Sequence, residues 1–128
     1  MKAPVDRKYS ETHEWFLLED NVVTMGITQY AADELTDITY VDLPDVGAKV
    51  TAGDAVGEVE SVKATSEIFS AVTGAVVAVN TTLGDHPELV NDDAFDEGWM
   101  LKIRTDTPDP LRALMGAKEY ALFVRNLG

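Results

Sequence analysis

Two stretches in the middle of the chain follow one pattern. Gly47-Ala48-Lys49-Val50-Thr51-Ala52-Gly53-Asp54 leads on through Ala55-Val56-Gly57-Glu58-Val59-Glu60, and Gly74-Ala75-Val76-Val77-Ala78-Val79-Asn80-Thr81-Thr82-Leu83-Gly84-Asp85 again passes from a glycine through β-branched residues to a Gly-Asp turn. Runs this short, with this punctuation, favour strands of a few residues joined by tight turns. Approximate repetition of a strand-turn-strand unit predicts two intertwined half-sheets. Strands rich in Val, Gly and Ala also resemble one another through composition alone.

The rest of the chain fits a strand-rich fold. His13-Glu14-Trp15-Phe16-Leu17-Leu18 is a mostly apolar run of strand length. Glu19-Asp20-Asn21 signals a turn, and Val22-Val23-Thr24-Met25-Gly26-Ile27 reads as the returning strand of a hairpin. Thr28 is an N-cap for a short helix to about Leu35, with Tyr30, Ala31, Glu34 and Leu35 at helical spacing. Ile38–Leu43 alternates apolar and polar residues until Pro44 stops it. Near the end, Thr107-Pro108-Asp109-Pro110 signals a helix start, with Thr107 as cap. Leu111, Leu114, Met115, Tyr120, Ala121 and Val124 form an apolar stripe, with Gly116 a point of weakness. The expectation is one domain over 1–128, mainly β, a sandwich or small barrel, with a helix near 28–35 and a C-terminal helix near 108–124 braced on it.

Composition narrows the chemistry. The 128 residues contain no cysteine, which excludes disulfides, thiolate metal ligands and a cysteine nucleophile. Ten Lys plus Arg stand against 23 Asp plus Glu, a formal net charge of -13. Nucleic acid and anionic membranes would be repelled, whereas basic protein partners would be steered in. Met1-Lys2-Ala3-Pro4 opens no apolar leader, and no apolar run reaches the ~18 residues of a span. A cytoplasmic protein, or a mature mitochondrial one, is expected.

No self-contained active site is legible. His13 and His86 lie far apart in sequence, and Asp92, Asp93, Asp96 and Glu97 lack the spacing of a calcium loop. Nucleotide-binding glycine motifs and a nucleophile elbow are missing from the sequence. What stands out is Lys63. It is the only Lys or Arg between Lys49 and Lys102, a stretch with ten acids. Val59 and Ile68 mark strand positions on either side, with Val72 beyond, so a turn at 61–65 would present the amine at a hairpin tip, open to covalent modification. Most exposed lysines are only solubilising charge.

The segment Glu60-Ser61-Val62-Lys63-Ala64-Thr65-Ser66-Glu67 resembles the lipoylation segment of the glycine cleavage system H proteins. His13-Glu14-Trp15, Val23–Thr28, Val41–Gly47, Pro87–Asn91 and Glu97-Gly98-Trp99 resemble further blocks of that family in the same order, and the resemblance spans about residues 8 to 124. It implies a barrel-sandwich hybrid of two small antiparallel sheets, with lipoate attached to Lys63. It also implies a non-enzymatic carrier that moves the aminomethyl group of glycine from glycine decarboxylase to an aminomethyltransferase. Dihydrolipoamide dehydrogenase would reoxidise the arm, and a lipoate ligase or a lipoyl/octanoyl transferase would install it. A monomer is implied.

Glu14 matches a cleft residue that holds the loaded arm, with Thr12 in the same stretch, and Glu67 falls where the family often has Asp. For each of these acids the alternative is an ordinary surface carboxylate. Ser70-Ala71-Val72 and Asp93-Ala94-Phe95-Asp96 lack prolines common in the family, which should loosen two turns by ~0.4–1 kcal/mol each.

Two rivals remain at this stage. Val62 and Ala64 replace the methionines that flank a biotinylated lysine, which disfavours a biotinyl carrier. A related lipoyl carrier could serve lipoate distribution alone, and an unmodified interaction domain would be indifferent to Lys63→Arg.

Overall fold

The computed structural model describes residues 3–127, so Met1, Lys2 and Gly128 of the expected 1–128 domain lie outside the described residues. The strands are β1 Lys8–Tyr9, β2 Glu14–Glu19, β3 Val22–Ile27, β4 Ile38–Asp42, β5 Lys49–Val50, β6 Ala55–Ser61, β7 Thr65–Phe69, β8 Gly74–Val79 and β9 Leu101–Arg104. The α-helices are α1 Gln29–Leu35, α2 Thr82–Asp85, α3 Glu88–Asp92 and α4 Ala117–Leu127. A 3-10 turn spans Asp109–Ala113.

Two antiparallel sheets carry the fold. One runs β1-β2-β3-β9-β8-β5 and the other β4-β6-β7, and neither closes into a barrel. Period-two alternation puts Leu101 and Ile103 of β9 inside and turns Arg104 to solvent. Phe16, Met25, Leu101 and Ile103 from the large sheet share one core with Val41, Val59 and Ile68 from the small one. Burying each such side chain stabilises the fold by about 1.5–3 kcal/mol. At Gly57 the strands approach too closely for any side chain, because a Cβ there would lie 2.4 Å from the Asp42 carbonyl oxygen. A register shift between Ala55 and Gly57 lies at the same place.

The expected hairpin over 13–27, the strand at 38–43 and the capped helix all form. The Thr28 hydroxyl accepts from Ala31 N at 3.2 Å. Four expectations need correction. The helix near 108–124 is two elements, because Met115 leaves the helical path to exchange backbone hydrogen bonds with Tyr9 (2.8 and 3.0 Å), covering the β1 edge. Thr107 caps nothing: Pro108 occupies the cap position and Thr107 N donates to Thr105 Oγ1. The second Gly-Asp is not a hairpin turn either. Gly84-Asp85 belongs to α2, where Leu83 is drawn into the core. Val72 is buried as expected, but on a bend outside any strand.

A second apolar cluster ties α4 to the β1 end of the large sheet. Tyr9 and Tyr120 stack with centroids 4.9 Å apart, beside Trp15, Phe95 and Phe123. Trp15 Nε1 donates to Ala94 O at 3.0 Å, Arg7 Nη1 to Phe95 O at 2.8 Å, and Ala94 N to Gln29 Oε1 at 3.2 Å. These bonds hold the loop over 93–96 without its proline. The other proline-free turn is closed by Ser70, whose hydroxyl donates to Val72 O (2.6 Å) and accepts from Val72 N (3.1 Å).

Candidate functional site

Lys63 lies at the tip of the β6–β7 hairpin, beyond the Glu60–Thr65 pair. Its root is fixed by Val59 and Ile68, both fully buried. Ser61 organises the turn: Ser61 N donates to Ala64 O (2.8 Å), and the Ser61 hydroxyl accepts from Lys63 N (3.1 Å) and Ala64 N (3.0 Å). Val62 N donates to Asp37 O at 3.0 Å, which ties the tip to the segment after α1. The tip is hydrogen-bonded at the backbone and exposed at the side chains, with Val62 at 70%. The Lys63 amine makes no ion pair among the described residues, and it donates to Glu34 O at 3.1 Å. That carbonyl lies in the last turn of α1, which has no basic residue of its own.

Glu14 is the opposite kind of residue. It is 1% exposed, which rules out the surface-acid alternative. Its Oε1 accepts from Ser10 Oγ and Thr12 Oγ1, both at 2.5 Å, and its Oε2 from Phe69 N at 3.2 Å. Burial pushes its pKa above the ordinary carboxylate range, and the Ser10, Thr12 and Phe69 hydrogen bonds only partly oppose that. An ionised carboxylate offers about four acceptor sites. Three donors leave roughly one unfilled. The residue opens onto a cleft of about 250 Å³ lined also by Gly53, Phe69, Ser70, Pro110 and Leu114.

β7 links the two features. Lys63 precedes its first residue, and its last, Phe69, supplies the N–H that Glu14 accepts. Phe69 lies six residues after Lys63, roughly 20 Å of extended chain at ~3.3 Å per residue. Thr65, Glu67 and Phe69 alternate along one face while Ile68 points into the core. Glu67 is exposed and lies opposite Glu58, with Asp42 beyond it on β4, a row of three acids across the small sheet. Thr12 and Glu14 therefore meet at the cleft, Glu67 stands between cleft and hairpin tip, and no hydrogen bond joins Glu67 to Glu14.

Sequence reasoning missed Ser10 and Phe69. Ser10, Thr12 and Glu14 converge through a turn with His13 left-handed, so neither strand nor helix periodicity marks them as one group. Phe69 acts through its backbone N–H, which no side-chain motif announces.

Two sheets that fix the root of a hairpin and expose one lysine at its tip have the architecture of a carrier domain. Comparisons narrow this class. The sequence model of the family described as "Glycine cleavage H-protein" matches residues 7–127. The chain is 49% identical over 119 residues to a glycine cleavage system H protein of Psychrobacter sp. (92% of this chain, 94% of that one). It is 46% identical over 120 residues to that of Listeria monocytogenes (94% and 96%). With the mitochondrial H protein of Pisum sativum it shares 47% identity over 116 residues (91% and 70%). The crystal structure of a glycine cleavage system H protein from Mycobacterium marinum superposes with a TM-score of 0.87 at 36% identity, covering 98% of this chain and all of that one. The chain belongs to the glycine cleavage H-protein family.

Proposed function

We propose that the protein is a lipoyl-carrying shuttle of the glycine cleavage system, with Lys63 as the attachment point. The observation that carries this reading is the alignment of the exposed Lys63 tip, strand β7 and the Glu14 cleft on one course. When attached, the lipoyl group supplies a dithiolane that takes up the one-carbon amine of glycine together with electrons, sulfur chemistry that a cysteine-free chain lacks. The residues present fit such a group. The Lys63 amine is accessible and held only by one carbonyl, so an acylating enzyme can reach it. Amide formation would remove its charge and release Glu34 O.

Thr65, Glu67 and Phe69 would flank a group laid along β7. At the cleft, the unfilled acceptor site of Glu14 would receive an N–H of a protonated cargo amine as a charge-assisted hydrogen bond. Thr12 and Ser10 keep that carboxylate oriented. A carrier that only distributed lipoate would have no use for a buried carboxylate, and this favours the shuttle over that alternative.

The reading makes the protein a non-enzymatic, monomeric component. Its partners are glycine decarboxylase, the aminomethyltransferase, dihydrolipoamide dehydrogenase and the enzyme that installs lipoate. No helix among the described residues is long and apolar enough to cross a membrane. A cytoplasmic setting is part of the proposal.

Intact mass after incubation with lipoate, ATP and a lipoate-protein ligase tests it. The expected result is one lipoyl increment, lost in Lys63→Arg. An unmodified chain, or an increment that persists in Lys63→Arg, would overturn the assignment. Glycine decarboxylation and exchange with the partner enzymes then separates the shuttle from lipoate distribution alone.

A further inference from the structure

We infer that His13 is a positioning residue for the Glu14 cleft: its neutral imidazole latches the Ser10–Glu14 turn to α1 and α4 through the hydroxyls of Tyr120 and Thr28. The inference deepens the proposed function, since the cleft it positions is the one assigned to the cargo amine.

His13 lies between Thr12 and Glu14 with φ +69°, a left-handed conformation that a non-glycine residue keeps only where its surroundings over-determine it. Its backbone is tied on both sides: His13 N donates to Ser10 O (3.1 Å), and Thr28 N donates to His13 O (2.9 Å). The ring lies among Tyr30, Tyr120 and Phe123, with centroids 4.9, 5.8 and 5.9 Å away. Nδ1 is 2.8 Å from the Tyr120 hydroxyl, which is 2.7 Å from Thr28 Oγ1. Thr28 Oγ1 in turn accepts from Ala31 N at the start of α1.

The polarity of this chain follows from counting protons. Among the described residues the Tyr120 hydroxyl is the one acceptor within reach of the buried Thr28 Oγ1, whose other partner, Ala31 N, is a donor, so the Thr28 proton goes to Tyr120. Tyr120 then donates to His13 Nδ1, which must carry a lone pair, leaving the proton of the ring on Nε2. An imidazolium would put N–H on both nitrogens and reverse the order. Tyr120 would have to donate to Thr28, and the Thr28 proton would lose its acceptor on a residue that is fully buried.

The groups that face the ring agree with a neutral histidine. Burial lowers its pKa and outweighs Glu34 of α1, the carboxylate that favours the charged form. Burial chiefly, with Tyr30 and Glu14 adding to it against the Thr28 hydrogen bond, pushes Tyr120 up to about 12, so it stays a donor. Because the folded pKa of His13 lies below its unfolded one, the latch contributes fully above the unfolded value of about 6.5 and is lost as pH falls from there through the folded one.

The experiment is a pH titration of the isotopically labelled whole chain by NMR, reading the ring nitrogens of His13, the side-chain carboxyl of Glu14 and the amides of Thr12 and Glu14. Expected are a single Nε2–H tautomer at neutral pH and a His13 midpoint below about 6.5. In Tyr120→Phe, which keeps the ring stacked on Tyr9, the midpoint should rise, both tautomers appear, and the Thr12 and Glu14 signals shift. His13→Ala should reproduce the Glu14 shift. His13→Asn, which tolerates positive φ and places a polar atom near Nδ1, should largely reverse it.

An Nδ1–H tautomer in the wild type, or Thr12 and Glu14 signals unmoved in both Tyr120→Phe and His13→Ala, would overturn the latch. On lipoylated, cargo-loaded protein, Tyr120→Phe should release the amine roughly 2- to 30-fold faster with the Lys63 mass increment unchanged. Equal release would sink the latch and leave the shuttle standing. If Lys63 takes no lipoyl group, the shuttle fails, and the NMR readout decides the latch alone.

Discussion

Replacing Glu14 by glutamine separates what the buried carboxylate does for the fold from what it does for cargo. The amide nearly matches the carboxylate in shape but has one acceptor atom and one donor atom. Phe69 N is a fixed donor on Oε2, so the amide must turn its oxygen there. Its NH2 then faces Ser10 Oγ and Thr12 Oγ1, hydroxyls that can rotate to accept. All three contacts survive in neutral form, and each such bond contributes about 1 kcal/mol. Burial has raised the Glu14 pKa, so its contribution to stability is full below the unfolded value of about 4.3 and is lost as pH rises through the folded one.

Glu14→Gln should therefore lie within about 1 kcal/mol of the wild type at pH 7. Its advantage over the wild type should be larger at pH 7 than at pH 4. Urea unfolding at the two pH values measures this. Cargo should respond quite differently. A hydrogen bond to a charged group contributes about 1.5–3 kcal/mol. At 1.4 kcal/mol per tenfold, losing it should speed release of the arm-borne amine by about 10- to 150-fold. Lipoylation of Lys63 should be unaffected. Unchanged release would refute Glu14 as the amine's partner. Several kcal/mol of destabilisation confined to neutral pH would refute the claim that burial dominates at this carboxylate.

Other substitutions test the scaffold. Gly57→Ala must displace the Asp42 carbonyl that lies 2.4 Å from its Cβ, and should cost about 1–3 kcal/mol or more, read as a lower urea midpoint and as loss of the β4–β6 amide protection behind the Lys63 hairpin. Asn91 accepts from Ile38 N and donates to Thr36 O and Ala32 O at 2.9, 2.7 and 3.3 Å, so Asn91→Ala should lose about 2–4 kcal/mol and loosen the end of α1 against which Lys63 rests. Ser70→Ala removes both hydroxyl bonds to Val72 and should cost about 1 kcal/mol. Ala71→Pro forfeits no hydrogen bond that Ala71 N donates among the described residues, and should gain about 0.4–1 kcal/mol by calorimetry.

The parts of the fold legible in the sequence were those decided locally. Leu17-Leu18 and Val22-Val23 flank a turn signal, Thr28 marks its own helix, and Val59 and Ile68 bracket Lys63, so the hairpin, α1 and the exposed tip could be read directly. What could not be read depends on partners distant in sequence. Leu111, Leu114 and Met115 do have helical spacing, but the bridge between Met115 and Tyr9 decides the outcome. Ser10 and Thr12 look like loop polarity until β2 places Glu14 beneath them. Tyr120 reads as one more apolar position on α4, and only the folded chain sets its hydroxyl on His13, 107 residues away. The missing prolines could be read from the sequence as greater freedom of the unfolded chain. Their replacements, a serine hydroxyl at one turn and Trp15, Gln29 and Arg7 at the other, are tertiary.

The two acids of the course along β7 suit different tasks, and the reason is dielectric. Glu67 stands in water beside Glu58, where an ion pair is worth little, about 0–1 kcal/mol, and is screened further by salt. It could attract a cation toward the strand but could not retain one. Glu14 sits where an interaction with a charged amine is strong, and where a carboxylate without partners would simply take up a proton and lose its charge. Ser10, Thr12 and Phe69 N counter that tendency with three donors and leave about one acceptor site in reserve. A fourth built-in donor would stabilise the anion further but would occupy the site an amine needs. Fewer donors would let burial neutralise the acid. In the proposed shuttle, retention by Glu14 would therefore depend on the turn that delivers the Ser10 and Thr12 hydroxyls, and hence on the contacts of His13 within that turn.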